Sequence, residues 1–139
     1  MADVILPLSR AREIAETWIA AWNARDLEAL LSHYSDDIVF VSPTVVMRDG
    51  ELSGVIRGKT SLREHFRQGL ESFGANVKFT LLDVLAGVNG FAIYYSRETG
   101  ATVVGTKVVD ASGKIVEARV HYHVAQQTLA ADSPQAARR

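Results

Sequence analysis

Residues Thr17–Pro43 read TWIAAWNARDLEALLSHYSDDIVFVSP. Trp18, Ala21 and Trp22 continue an apolar stripe that starts at Ala11, Ile14 and Ala15, with the three-and-four spacing of one helix face. Ser9 is placed to cap that helix, and Asn23-Ala24-Arg25 ends it. Asp26 caps a short second helix through Leu27, Leu30, Leu31 and Tyr34. Asp36-Asp37 reads as a solvated cap at the junction that follows. Ile38-Val39-Phe40-Val41, β-branched and aromatic, then makes a strand closed by Ser42-Pro43. This order sets helix aromatics beside the inner face of a sheet and predicts a pocket.

Beyond Pro43, Val45-Val46-Met47, the turn Arg48-Asp49-Gly50 and Leu52 to Ile56 suggest a hairpin or mobile flap. Thr60 to Phe73 reads as a third helix, with Leu62, His65, Phe66, Gly69, Leu70 and Phe73 on one side, and Gly74 stops it. The period then changes to two. Val77 to Leu85, Phe91 to Arg97, Thr102 to Val109 and Lys114 to Val124 read as four strands joined by glycine-containing turns. Helices first and antiparallel strands afterwards indicate an α+β fold. To bury one face, the sheet must curl around the helices. The expected architecture is three N-terminal helices packed in a strongly curved, mostly antiparallel sheet, a cone with a cavity at its open end.

The chain has 139 residues, 47% of them hydrophobic, and a formal net charge of −1. It is read as one domain over residues 1–128 with a disordered polar tail over 129–139. The near-zero charge offers no field for nucleic acid or an anionic membrane. The absence of cysteine excludes disulfides and thiolate metal sites, and fits a cytoplasmic location. The start MADVILPLSR has no basic region of a signal peptide, and no apolar run approaches the roughly 20 residues of a membrane span.

The stretch WNARDLEALLSHYSDDIVFVSP, the RQGL of Arg67–Leu70 and DASGKIVEARVHYH near the end resemble the SnoaL-like branch of the nuclear transport factor 2 superfamily. That superfamily also holds ketosteroid isomerases, scytalone dehydratase and limonene epoxide hydrolase. The resemblance covers roughly Ser9 to Val124. It implies the cone fold and carries little information on activity, because chemistry changes on a shared frame. Ser42 stands where the isomerases have their base, Trp18 where they have an oxyanion-hole tyrosine, and Gly105 near their protonated aspartic acid. The tyrosine, asparagine and last-strand aspartate of the epoxide hydrolases meet Phe40, Ser42 and Val120. The late-strand aspartate of the polyketide cyclases has no inward counterpart, since Asp110 lies in a turn and Glu117 has outward parity. None of the three mechanisms transfers directly.

Alternation on the last strand puts Val116, Ala118, Val120, Tyr122 and Val124 inside, and Ile115, Glu117, Arg119, His121 and His123 outside. His121 and His123 share a face but have no carboxylate nearby to complete a ligand set, so no metal and no cofactor is expected. His65, on the buried side of its helix, is the candidate general base, with Ser42 as a second catalytic candidate. Trp18, Trp22, Tyr34, Phe40, Phe66, Tyr95, Val120 and Tyr122 are the candidate substrate-binding residues; core packing explains the aromatic ones equally well. Arg97 has inward parity at a strand end, and the face taken by Lys107 depends on a turn whose register the sequence leaves open.

Two functions remain at this point. One is a cofactor-free isomerase, cyclase or lyase acting on a small hydrophobic carbonyl compound. The other is a non-catalytic small-molecule-binding or dimeric protein-interaction module. In either case a homodimer through the outer sheet face is expected, with Tyr94, Ile115, His121 and His123 near the interface.

Overall fold

The computed structural model describes residues 5–123. Residues 129–139, read above as a tail, lie outside the described residues, as does Val124. Helix α1 (Leu8–Asn23) begins directly after Pro7, whose φ of −59° is already helical in value, and has no side-chain cap. Ser9 therefore sits inside the helix and is not its cap. Helix α2 (Leu27–Leu31) is capped as expected by Asp26, which accepts from Ala29 N at 3.0 Å. It ends before Tyr34, which opens strand β1 (Tyr34–Val41). Asp36 and Asp37 are exposed residues within that strand, not a cap at its start.

The expected hairpin or flap is a helix, α3 (Pro43–Asp49). Ser42 caps it by accepting from Thr44 N at 3.2 Å, Pro43 fills the first turn, and Gly50 closes it at φ 75°. The Ser-Pro step thus ends a strand and starts a helix. A short strand β2 (Val55–Arg57) then pairs antiparallel with β1, and α4 (Lys59–Phe73) follows. Strands β3 (Thr80–Gly87), β4 (Gly90–Ser96), β5 (Thr102–Val109) and β6 (Ile115–His123) make the expected meander.

The six strands form one curved sheet in the order β2-β1-β6-β5-β4-β3, antiparallel except where β1 runs parallel to β6. Helices lie against its concave side, the cone-shaped α+β architecture. Asn23 at the end of α1 locks that helix to the strip before β3: its side chain donates to Phe79 O at 2.9 Å and accepts from Phe79 N at 2.7 Å. The aromatic stripe of α1 is thereby held over the inner face. Burying each large apolar side chain there contributes about 1.5–3 kcal/mol.

A bulge corrects one parity assignment. Val109 pairs with Ile115 but Val108 pairs with Glu117, so Val116 is an extra residue in β6. Ile115 therefore points inward and is fully buried. It cannot belong to an outer-face interface. From Ala118 onward the expected alternation holds, with Ala118 buried and His121 and His123 exposed.

Candidate functional site

One cavity is lined by residues from α1, α3, α4 and the inner strand faces. Trp18, Trp22, Phe40, Ser42, His65, Phe66, Tyr95, Val120 and Tyr122 all line it. Its free space for water-sized molecules is about 50 Å³, several times the ~10–15 Å³ that one water needs. Ligands that fit it as shaped are small.

Tyr34 is the exception among the sequence candidates. It is 1% exposed, absent from the cavity lining, and its phenol oxygen accepts a hydrogen bond from Trp18 Nε1 at 2.9 Å. Burial pushes its phenol pKa well up. Tyr34 is a satisfied core tyrosine that braces Trp18 from behind. Tyr95 does reach the cavity wall, stacked on Phe79 with ring centroids 5.0 Å apart, and burial pushes its phenol up as well.

His65 sits at the centre of a hydrogen-bonded row. Its Nδ1 is 2.8 Å from Asp49 Oδ2, and its Nε2 is 3.1 Å from Thr44 Oγ1. Thr44 Oγ1 in turn lies 2.9 Å from Ser42 Oγ. A carboxylate accepts only, so the Asp49 contact selects the tautomer with its proton on Nδ1. Nε2 is then the acceptor for the Thr44 hydroxyl, and Ser42 donates to Thr44. The imidazole is 3% exposed and Asp49 25%. Burial, aided by the positive charge of Arg48, pulls the His65 pKa below its ordinary value, while Asp49 opposes the shift. The ring is thus neutral near pH 7, and its basic Nε2 accepts from the Thr44 hydroxyl and, at 3.5 Å, from Arg48 Nη1.

Asp49 is the carboxylate that sequence reading missed. The sequence places it in a turn; as the last residue of α3 it is carried back onto α4. The Ser-Pro start and Gly50 stop were the available signal. Arg48, next to it, lines both the cavity and a surface depression with Arg67, Gln68, Glu71 and Ser72. Gly69 makes room for the guanidinium: a Cβ there would lie 3.2 Å from Arg48 Nη1. Arg97 points inward, 4.0 Å from the Phe73 ring centroid, and its Nη2 pairs with Glu98 at 2.7 Å.

Lys107 resolves its ambiguity inward. Burial alternates along β5, with Val103, Gly105, Lys107 and Val109 on the concave side. Its Nζ stands 4.6 Å over the Trp18 ring, and its chain folds across Gly105, where a Cβ would meet Nζ at 3.4 Å. No carboxylate pairs with it among the described residues. Burial alone lowers its pKa from 10.5 to about 7. The Trp18 face favours the ammonium and acts in the opposite direction. A buried lone amine is therefore on the same cavity wall as the aromatic cluster.

A SnoaL-like domain is matched over residues 15–128. The chain belongs to the SnoaL-like family. A SnoaL-like protein of unknown function from Burkholderia thailandensis E264 is 33% identical, with a TM-score of 0.83, over 86% of this chain and 99% of that one. An NTF2-like protein of unknown function from Burkholderia xenovorans LB400 shares the fold at 20% identity and a TM-score of 0.66, over 84% and 85% of the two chains. So does a SnoaL-like protein from Agrobacterium tumefaciens C58, provisionally named an isomerase, at 15% identity and a TM-score of 0.66, over 84% and 99%. A comparison with curated proteins gives no significant match. No described helix is long and apolar enough to cross a membrane.

Proposed function

We propose that the protein is a cofactor-free isomerase, lyase or cyclase that moves a proton on a small, mostly apolar carbonyl compound. The observation that carries this reading is the Asp49–His65 pair, 2.8 Å apart, which holds a neutral imidazole on a cavity wall. His65 acts as the general base through Nε2, taking a proton α to the carbonyl after Thr44 yields its hydrogen bond. Asp49 orients the ring and stabilises the imidazolium as it forms. Trp22 supplies a further element: its Nε1–H is a buried donor without an acceptor among the described residues, on a ring that lines the cavity. A ligand carbonyl oxygen is the kind of group that would satisfy it. Ser42 orients Thr44 and the substrate, and the aromatic side chains position the apolar part of the ligand.

Deuterium wash-in across a panel of small ketones tests the base. The protein is expected to accelerate exchange α to the carbonyl for at least one member, and His65→Gln to lose about 10²–10⁴-fold of that rate. Full exchange by the His65→Gln protein would reject His65 as the base. The alternative, sequestration without conversion, draws on the apolar lining; native mass spectrometry would then find a ligand retained unchanged and no exchange on any member.

The homodimer belongs to the same proposal. Tyr94 and Val108 are exposed on the outer sheet face, and Tyr94, Val104 and His121 lie in register across β4, β5 and β6. A monomer by sedimentation at micromolar concentration would reject it.

A further inference from the structure

Lys107 is left over from the proton-transfer scheme, although it lies on the same wall. A lysine at a concave sheet position normally finds a carboxylate or reaches solvent with its head group. Among the described residues Lys107 does neither. It is 3% exposed, its only described side-chain partner is the face of Trp18, and its chain lies in the space left by Gly105. Such an arrangement costs stability, so it is informative that Lys107, with its amine over the Trp18 face, lines the cavity.

We propose that Lys107 is a nucleophile that captures a small aldehyde or ketone as an imine on the cavity wall. The substrate class rests on the carbonyl reading given above; the amine chemistry is separate from it. Three features support the assignment. Burial of Lys107 in a cavity wall shared with aromatic side chains disfavours its charge, against the pull of the Trp18 face, and excludes competing water. The lowered pKa, about 7 against the ordinary 10.5, makes free amine far more available near neutral pH than on an exposed lysine. Among the described residues no carboxylate ties up the nitrogen.

The chemistry balances without a cofactor. The nitrogen lone pair adds to the carbonyl carbon, and one N–H proton moves to the former carbonyl oxygen, giving a carbinolamine. That hydroxyl leaves with a proton as water, and a C=N bond remains. The imine nitrogen, once protonated, withdraws electrons from the α carbon and makes its C–H more acidic than in the free carbonyl compound. Removal of that proton gives an enamine; reprotonation and addition of water release the carbonyl product and restore the amine. Imine formation at Lys107 would thus activate the carbon from which His65 takes its proton.

Reductive trapping tests the nitrogen directly. The full chain is incubated at pH 7 with propanal and cyanoborohydride, then digested and mapped by mass spectrometry. Hydride reduces the imine to a secondary amine and fixes the propyl group to its lysine. The expected result is labelling of Lys107 at least tenfold faster than of Lys59, Lys78 or Lys114, with the α-amino group as internal control. Equal labelling of all four lysines, or a labelled α-amino group with unlabelled Lys107, would overturn the proposal. The trap needs no turnover, so it also separates the two readings. Lys107 labelling in His65→Gln protein with no α-exchange in any variant supports the imine and rejects proton transfer. Exchange that depends on His65 in a protein whose Lys107 stays unlabelled does the reverse.

Discussion

On the α3–α4 side of the cavity, Asp49, His65, Thr44 and Ser42 are joined by contacts of 2.8 to 3.1 Å. On the α1–β5 side, the one side-chain partner of Lys107 among the described residues is the Trp18 ring, 4.6 Å away. Both walls bury an ionisable group, and both lower its pKa by removing water. The first wall compensates with hydrogen bonds that also decide where the histidine proton sits. The second compensates with almost nothing, and its lysine gives up charge instead. Burial next to partners fixes a tautomer; burial without them makes a free amine. The two outcomes are complementary for carbonyl chemistry, one yielding a base and the other a nucleophile.

Removing the uncompensated group should have the largest effect on stability. A fall from 10.5 to about 7 corresponds to about 5 kcal/mol as an upper bound. The sign follows from proton counts: between about pH 7 and 10.5 the unfolded chain holds the proton and the folded chain does not, so stability rises with pH across that window. Lys107→Met is therefore expected to be more stable than the parent at pH 7 by a few kcal/mol. That advantage should shrink as pH climbs toward 10, measured by urea unfolding at each pH. A destabilised Lys107→Met protein with a pH-independent difference would break the contrast between the walls.

The partnered wall should respond in rate and pH profile. Asp49→Asn keeps a hydrogen-bonding oxygen but removes the charge that holds the His65 pKa up. The acidic limb of the exchange rate is expected to move to lower pH, and the plateau to fall about 10-fold. An unmoved limb would mean that Asp49 has no hold on the ring.

Tyr34→Phe separates support from site. It leaves Trp18 Nε1 without its acceptor, at a cost of about 1–3 kcal/mol in unfolding free energy. Exchange activity should be unchanged within twofold, since Tyr34 does not line the cavity. Ser42→Ala is the smallest effect. It removes the α3 cap, expected to cost about 1 kcal/mol in urea unfolding, and Ser42→Asp is expected to restore that stability without restoring the hydroxyl that orients Thr44.

Much of the frame was legible because it rests on repeated local signals. The Ala11–Trp22 stripe, the Asp26 cap and the change of period after Gly74 each occupy many residues and survive a single misreading. The misreadings fell where one or two residues carry the signal. Ser42-Pro43 has two meanings, strand end and helix start, and the helix it starts is only seven residues long. Missing that helix hid Asp49, the partner that turns His65 from a buried histidine into an oriented one.

The composition and periodicity of this chain determined an α+β frame with aromatic residues and His65 facing inward, because burial of apolar surface imposes those periods wherever they fall. Tertiary structure decided the rest. Valines on both faces of β5 make its alternation degenerate, so only packing against β4 and β6 turned Lys107 inward. An extra residue in β6 reversed Ile115. The contact between Asp49 and His65 joins two helices across a sixteen-residue separation, and no local propensity encodes the angle at which they meet.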